Sequence, residues 1–313
     1  MSVYIRQNSS DQSYTKNTWC ILNPIEQSIK EKIERIGTPL KDWDINIYRG
    51  VLTGLNEAFI IDGAKKDELI AKDPKSVEII RPILRGRDIK RYSYDFADKW
   101  LIATFPSKHY NIDDYPAIKE YLLSFDKRVL EQSGEKDIDG IKGKNARKKT
   151  CNKWFETQDS IAYWDDFSKQ KIVWAETVKI YFYGERNYPR FCAVNEEYYL
   201  DKTTFFVPIK NNLYFLGILN SKLSEYLLDN GYCNLIGPGS RGLQKNLLEQ
   251  FPMIQRNEDN NKIIDLIENI LKKSFDNYIE ASLQNEIDDL VFDLYEITQD
   301  EKKYINNLML KNT

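Results

Sequence analysis

The hydrophobic pattern of this 313-residue sequence changes at about residue 258. Before that point, apolar residues form short runs that resemble β-strands and are separated by turn-forming residues. After it, isoleucine and leucine recur every three to four residues, as on one face of an amphipathic helix. The β-like runs are too irregularly spaced for a repeating βαβ pattern. The sequence therefore predicts an α+β fold of mostly antiparallel strands with interspersed helices, followed by a C-terminal helical appendage.

Helix signals precede and interrupt the β-like runs. Asn23-Pro24 is an N-cap followed by proline at the first helical position, and the helix that it starts is expected to end at Gly37. A second helix is expected from Pro116 and a third over residues 213–228. The β-like runs are INIYRGV (45–51), EAFIID (57–62), KWLIATF (99–105), KIVWAE (171–176), RFCAV (190–194) and TTFFVPI (203–209).

Three segments follow from these patterns: a polar N-terminal segment (1–19), a main domain (20–257) and a helical C-terminal region (258–313). In the last segment, Thr298 and Glu301 have the spacing of a capping box. Residues 258–313 contain 13 acidic and 6 basic residues, a net charge of −7. Because the whole chain carries −3, residues 1–257 carry +4. The acidity thus belongs to the tail, and the main body is basic.

Several classes of site lack the residues that they need. His109 is the single histidine, so a Ser-His-Asp or Cys-His site could use no other. The four cysteines lie far apart with no CxxC pair, and neither a Walker A loop nor a GxGxxG motif occurs. No catalytic, cofactor-binding or metal-binding residue is therefore assigned. Without a secretion signal or an apolar run of about 18 residues, we expect a cytoplasmic protein with reduced thiols and no membrane partner.

The stretch RPILRGRDIKRY (81–92) concentrates five basic side chains. Arginine predominates over lysine, and Gly86 would let the backbone approach a ligand closely. One interpretation is a DNA-contacting segment. The alternative is a β-edge whose arginines pair with Asp62, Asp88 or Asp95, and Asp88 in particular is expected to be a local salt-bridge partner. The candidate DNA-binding residues of this first cluster are Arg85, Arg87, Lys90 and Arg91.

A second cluster, IKGKNARKKTCNKWF (141–155), has six basic residues and no acid, and its composition predicts a loop. A flexible basic loop beside aromatic residues suits a phosphate backbone, because each neutralised phosphate releases counterions. Arginine can also donate to two acceptors of guanine. In a chain with 30% charged residues, the alternative is a solvated surface without a ligand. The candidate DNA-binding residues here are Lys144, Arg147, Lys148 and Lys149.

Read in order, a series of segments resembles the C-terminal target-recognition region of TaqI-like adenine-N6 DNA methyltransferases. The same region occurs in type IIG restriction-modification enzymes and in related phage-defence methyltransferases. The resemblance covers about residues 18–300, and its most specific part is TGLNEAF (53–59) together with LRGRDIK (84–90). The matching segments are residues 37–62, 73–92, 100–107, 171–176, 213–223, 241–253 and 287–298.

The resemblance implies that residues 20–257 are a domain that reads bases of double-stranded DNA in the major groove. A methyltransferase domain of the same parent chain would flip the target adenine into its own pocket. That domain carries an Asn-Pro-Pro-aromatic motif, binds S-adenosylmethionine and is sometimes preceded by a nuclease, which would add Mg²⁺. Here Asn23-Pro24 is followed by Ile25. We therefore expect a non-catalytic recognition half that itself binds no cofactor.

Three further residues are DNA-binding candidates on the strength of the resemblance. Asn56 lies in TGLNEAF, although Gly54 and Asn56 are also good turn formers and suit a purely structural strand-turn-strand role. Arg241 and Lys245 lie beside the glycine-rich IGPGSRG (236–242), near a helix start, and could hold phosphate. Ordinary exposure at a turn is the alternative for this pair.

Two other functions compete with DNA recognition. The chain could be a protein-interaction or specificity subunit of a multi-subunit phage-defence complex that docks through its acidic helical tail. A stand-alone nuclease would rest on the triplet Glu301-Lys302-Lys303, and such triplets are common by chance.

Overall fold

A computed structural model describes residues 14–15, 18–19, 22–140, 145–182, 185–237, 239–257, 261–272 and 277–311. Its strands are short, and many have only two or three residues. They are β1 Tyr14–Thr15, β2 Thr18–Trp19, β3 Thr38–Pro39, β4 Tyr48–Arg49, β5 Ile60–Asp62, β6 Ile80–Leu84, β7 Lys99–Ile102, β8 Lys171–Ala175, β9 Thr177–Lys179, β10 Tyr181–Phe182, β11 Glu185–Arg186, β12 Phe191–Val194, β13 Tyr199–Leu200, β14 Thr204–Pro208, β15 Asn234–Leu235, β16 Ser240–Gly242 and β17 Pro252–Met253.

Helices alternate with these strands and then replace them after β17. They are α1 Pro24–Ile36, α2 Asn56–Phe59, α3 Gly63–Lys72, α4 Pro116–Leu123, α5 Lys127–Leu130, α6 Asn212–Leu219, α7 Lys222–Leu227, α8 Lys245–Leu248, α9 Asn261–Lys272, α10 Asn277–Leu294 and α11 Gln299–Lys311.

The predicted start of α1 is confirmed in atomic detail. The side chain of Asn23 accepts hydrogen bonds from the backbone nitrogens of Ile25 (3.0 Å) and Glu26 (2.9 Å). The Glu26 carboxylate in turn accepts one from the Asn23 backbone nitrogen at 2.9 Å. The helix ends at Ile36 with Gly37 as its C-cap. These partners lie within three positions of one another, so a sequence pattern is enough to find them.

Two predicted elements differ from the structure. The β-like run 57–62 begins inside the short helix α2 and becomes a strand only at Ile60. The helix expected over 213–228 is two helices, because Ser221 accepts a hydrogen bond from the Ser224 backbone nitrogen (3.2 Å) and caps a new start. In both cases a local turn interrupts an apolar pattern that continues across it.

The chain divides into two compact units. We call Ile47–Thr177 with Arg190–Lys210 the central unit. We call Met1–Asn46, Val178–Pro189 and Asn211–Thr313 the terminal unit. The domain limits expected at residues 19 and 257 follow a different division and stay a prediction.

The central unit contains two four-stranded sheets. One has the order β12-β8-β14-β4 and is antiparallel throughout. The other has the order β13-β6-β7-β5, in which β13 runs parallel to β6 and the other pairs are antiparallel. Their apolar side chains share one core, which includes Phe59, Ile83, Leu101, Phe167 and Phe206.

The terminal unit is mainly helical. Ile263 and Ile267 of α9 are buried, and a Cβ on Gly217 of α6 would lie 2.6 Å from Cγ2 of Ile263. Glycine there lets α6 and α9 pack closely. Tyr304 of α11 accepts a hydrogen bond from the Asn23 side chain at 2.7 Å. The C-terminal helices therefore pack against α1 and α6 in the same unit.

The α+β fold class, with mostly antiparallel strands and a helical C-terminal region, is confirmed. Cys151, Cys192 and Cys233 form no disulfide among the described residues, and Cys192 is buried whereas Cys151 is exposed. Over the described ranges, no helix combines the length and apolar character that crossing a bilayer requires.

Candidate nucleic-acid interface

The turn after β6 is held by Arg85 and Asp88. The Asp88 carboxylate is buried and accepts hydrogen bonds from the Arg85 backbone nitrogen and Nε (both 2.9 Å) and from Nη2 (2.8 Å). This pairing, above all its hydrogen bonds, raises the pKa of Arg85. The local salt bridge expected for Asp88 is confirmed. The backbone nitrogen, Nε and Nη2 of Arg85 are thus committed to shaping the turn.

The same turn is also held by the segment that follows β13. Thr203 Oγ1 accepts a hydrogen bond from the Gly86 backbone nitrogen (3.1 Å) and donates one to Asp201 Oδ1 (2.5 Å). A Cβ on Gly86 would lie 2.8 Å from Thr203 Oγ1 and 3.3 Å from the Cβ of Ala175. Glycine is required here because the chain packs against itself, which corrects the expectation that Gly86 leaves room for a ligand.

The remaining candidates of the first cluster differ in exposure. Arg87 is exposed, and its guanidinium makes no hydrogen bond or ion pair with any residue in the described ranges. Lys90 lies 3.4 Å from the Asp95 carboxylate, and the Arg91 guanidinium lies 5.6 Å from the ring centre of Tyr92. Arg87 is therefore the cation that this rigid turn presents to solvent.

Arg147 is buried, with 3% of its surface exposed. Its nitrogens donate to the backbone carbonyls of Leu130 (2.7 Å), Thr53 (2.9 Å), Glu156 (2.7 Å) and Trp154 (2.6 Å). The guanidinium also lies over the Phe59 ring, 4.9 Å from its centre, and burial lowers the pKa of Arg147 to about 10. The prediction of a DNA contact is wrong for Arg147, because every part of its fork is occupied inside the protein.

The TGLNEAF motif surrounds this buried arginine. Gly54 has φ +80°, and a Cβ there would lie 2.7 Å from Cδ of Arg147. Asn56 is exposed, and its Oδ1 accepts a hydrogen bond from Thr53 Oγ1 at 2.6 Å. The structural interpretation of the motif thus accounts for its glycine, and Asn56 stays a candidate at the surface.

The other basic residues of the second cluster are exposed. Lys148 and Lys149 both lie at the surface in a segment without regular structure, whereas Lys144 falls outside the described residues. Burial raises the pKa of Asp159, and the charges of Arg49 and Lys148 oppose that rise. The charges of Arg49 on β4 and of Lys148 in the loop thus both act on the Asp159 carboxylate.

Arg49 connects this loop to the turn after β6. Its Nε donates to the Lys202 carbonyl at 2.8 Å, and its Nη2 contacts the Glu176 carboxylate at 2.6 Å. Lys202 is exposed and immediately precedes Thr203, which bonds Gly86. Five exposed cations lie on these segments, and we call them the basic strip: Arg49, Arg87, Lys148, Lys149 and Lys202.

Sequence reasoning missed Arg49 and Lys202, since each is a single base outside the two basic clusters. It also missed Arg190, which is 9% exposed and whose Nε has no hydrogen-bond partner in the part of the chain that the structure describes. Burial lowers the pKa of Arg190. The register that pairs Phe191 with Trp174 brings Arg190 opposite Ala175, the residue against which Gly86 packs.

The last two candidates lie in the terminal unit. Arg241 donates from Nε and Nη2 to the Asp229 carboxylate at 2.6 and 2.9 Å, and this hydrogen bonding raises the pKa of Arg241. Lys245 is exposed on the four-residue helix α8 and lies 3.5 Å from the Glu249 carboxylate. Arg241 is engaged by its own chain, and Lys245 remains at the surface.

Comparison with known proteins finds similar structures but no similar sequence family. No protein-family model and no curated protein matches the chain. Among solved structures, the type IIL restriction-modification enzyme MmeI in complex with DNA matches with a TM-score of 0.52 at 15% identity. That match covers 88% of this chain and 36% of MmeI. The type IIG restriction endonuclease BpuSI matches with a TM-score of 0.46 at 14% identity, over 86% of this chain and 32% of BpuSI. This chain thus shares its fold with about a third of a restriction-modification enzyme.

Proposed function

We propose that the chain is the DNA target-recognition module of a restriction-modification adenine-N6 methyltransferase and that it binds double-stranded DNA through the basic strip. The observation that carries the proposal is that two arginines of one short turn differ in their contacts. Asp88 occupies Arg85, whereas Arg87 projects from the same turn without an internal partner among the described residues. A rigid turn that presents one unpaired arginine suits contact with a base or a phosphate.

The rest of the strip supplies phosphate contacts. Lys148, Lys149 and Lys202 are exposed lysines, which bind phosphate as point charges without reading sequence. Arg87 is the best candidate for base reading, because arginine donates to guanine O6 and N7 together. The buried Arg190 would reinforce the positive potential beneath the turn.

The comparisons add a coarser support. MmeI is a restriction-modification enzyme whose structure was determined with DNA and has implications for engineering specificities. A chain that corresponds to a part of such an enzyme would supply recognition, while a methyltransferase domain of the same parent protein would bind S-adenosylmethionine. In that arrangement the recognition module holds the duplex while the target adenine is flipped elsewhere.

Selection from randomised duplexes tests the proposal. The full chain is expected to enrich a defined sequence at low salt, and Arg87→Gln is expected to weaken binding to it about 5- to 100-fold, the range for loss of one good base contact. The matched control is Arg128→Gln, which removes an exposed arginine that pairs with Asp126 outside the strip.

Unchanged affinity and specificity in Arg87→Gln would remove Arg87 from the interface. Failure of the unaltered chain to bind any duplex at low ionic strength would overturn the proposed function itself. Thermal unfolding of each variant excludes misfolding as a cause. For Arg87→Gln the change in stability is expected to be less than about 0.5 kcal/mol, because the exposed Arg87 side chain makes no internal contact among the described residues.

A further inference from the structure

A small cavity in the central unit lies among residues that duplex binding by the basic strip does not use. Its volume is about 250 Å³. Pockets for drug-sized ligands measure about 300–1,000 Å³, so this one suits a single ring system. Its lining combines aromatic walls with charged groups of both signs: Arg81, Lys108, Tyr110, Trp164, Asp165 and Glu197.

Two donors of the cavity are held in place by the protein. Arg81 Nη1 donates to the backbone carbonyls of Val77 (2.8 Å) and Ile80 (3.3 Å), and its Nε lies 3.5 Å from Glu197 Oε1. Lys108 lies with its ammonium group over the Trp164 ring. Burial lowers the pKa of Lys108. Both cations therefore have fixed positions in the cavity wall.

Acceptors face the same space. Asp165, Glu197 and Glu78 line it, and the Glu78 carboxylate already accepts a hydrogen bond from the Tyr115 hydroxyl at 2.9 Å. Tyr199, also in the lining, is packed between the Phe105 and Phe167 rings, whose centres lie 5.7 and 4.5 Å from its own. The aromatic wall is thus rigid, and donors and acceptors lie around it.

This combination selects the chemistry of the ligand. Three carboxylates and two cations give the lining a net negative charge, which disfavours a phosphate or another anion inside the cavity. If the ligand is a nucleotide, its ring enters the cavity and its phosphate stays outside. The charged groups would be poorly solvated by an apolar ligand. A neutral heteroaromatic ring with acceptors on one edge and donors on another satisfies both sets of groups.

We propose that this cavity binds a guanine ring. Arg81 or Lys108 would donate to O6 and N7, the pairing by which these side chains recognise guanine elsewhere. Asp165 or Glu197 would accept from the imino and amino groups, and the Trp164 and Tyr110 rings would form the walls. The ring could come from a free guanine nucleotide or from an unstacked base of DNA, since both present the same edges.

Fluorescence anisotropy and calorimetry with two kinds of probe test this inference. The full chain is titrated with GMP and AMP, and with duplexes that carry a bulged guanine or a bulged abasic site. We expect GMP to bind more tightly than AMP, or the bulged guanine more tightly than the abasic bulge. Preference for GMP alone identifies a free nucleotide, and preference for the bulged guanine alone identifies DNA.

Two variants tie the binding to the cavity. Lys108→Gln and Asp165→Asn are each expected to lower guanine affinity about tenfold, within the range for one directed base contact. Lys136→Gln is the matched control, because Lys136 is an exposed lysine outside the cavity lining. Fully paired duplex should bind all three variants as it binds the unaltered chain, which separates this site from the basic strip.

Absence of any guanine preference in both probe pairs would overturn the inference while leaving duplex recognition intact. So would a preference that survives unchanged in Lys108→Gln and Asp165→Asn, because the ring would then bind elsewhere. Conversely, loss of duplex binding in Arg87→Gln with GMP affinity retained would leave the cavity site standing on its own.

Discussion

At the scale of single residues, basic side chains that are neighbours in the sequence have different roles because their contacts differ. Arg85 and Arg87 are separated by one glycine, yet only Arg85 reaches the buried Asp88 carboxylate. Arg147 and Lys148 are neighbours in a basic loop, yet Arg147 is buried and Lys148 is exposed. What decides the role is the presence of acceptors within reach, which include the Thr53 carbonyl 94 positions away from Arg147.

Arg147→Met is expected to lower the free energy of unfolding by about 3 kcal/mol or more. The substitution keeps an apolar stem of similar length but leaves the carbonyls of Leu130, Thr53 and Trp154 without their donor, and each buried unsatisfied group costs about 1–3 kcal/mol. The Glu156 carbonyl keeps a hydrogen bond from Gln132 Nε2 at 3.1 Å. Urea unfolding followed by tryptophan fluorescence measures the loss.

The adjacent Lys148→Met is the control for Arg147→Met, since Lys148 is exposed and its replacement is expected to change stability by less than about 0.5 kcal/mol. Equal stabilities of the two variants would contradict the structural role assigned to Arg147. The expected effects on DNA affinity are the reverse: Lys148→Met should bind DNA more weakly than the unaltered chain, and folded Arg147→Met should bind it equally well.

At the scale of elements, the sequence predicted what is decided within a few residues. The N-cap at Asn23, the C-cap at Gly37 and the capping box of Thr298 and Glu301 were all predicted correctly. The turn that contains Arg85 was predicted only in part. Asp88 is three residues from Arg85 and could be found from the sequence, whereas Thr203, which bonds Gly86, is 117 residues away from that glycine. The sequence could not predict the contacts of Arg49 or the cavity around Arg81. The residues that form them are far apart in the chain and come together only in the folded sheets.

Glu301 makes the start of α11 sensitive to acid. Burial alone would raise its pKa, but hydrogen bonds from Lys32, from the Thr298 backbone and from Ser28 lower the pKa to about 2, below the ordinary 4.5. A lowered carboxyl pKa contributes stability that is present above the unfolded value and is lost as pH falls from about 4.5 towards 2. The contribution at neutral pH is about 3 kcal/mol by the same linkage.

Glu301→Gln tests this linkage, because glutamine keeps the capping geometry and removes the charge that Lys32 contacts at 2.7 Å. At pH 7 the variant is expected to be less stable than the unaltered chain, and the difference should shrink as the pH is lowered to about 3. The free energy of unfolding in urea at several pH values measures it. A difference that stays constant with pH would show that the Glu301 carboxylate does not titrate with a lowered pKa.

At the scale of the whole molecule, the two compact units differ in net charge, although less than the C-terminal tail differs from the rest of the chain. The central unit contains 27 basic and 25 acidic residues, a net charge of +2, and the terminal unit contains 18 and 23, a net charge of −5. A net charge of +2 is too small to attract DNA strongly by itself. If the proposed function holds, affinity for DNA comes from how the basic strip is arranged, and the number of phosphate contacts, rather than the net charge, sets the salt dependence.

The salt dependence of DNA binding can therefore be predicted from the strip. Four phosphate contacts, by Arg87, Lys148, Lys149 and Lys202, give a slope of about −4 for log K against log salt concentration, at about −0.9 per neutralised phosphate. Arg49 is not counted, because the Lys202 carbonyl and the Glu176 carboxylate already engage its guanidinium. Replacing Arg87, Lys148 and Lys149 together by glutamine should reduce the slope to about −1. The control replaces Lys65, Lys72 and Lys136 by glutamine, which removes the same charge from the central unit outside the strip and should leave the slope near −4. If both triple variants changed the slope equally, overall charge and not the strip would govern binding.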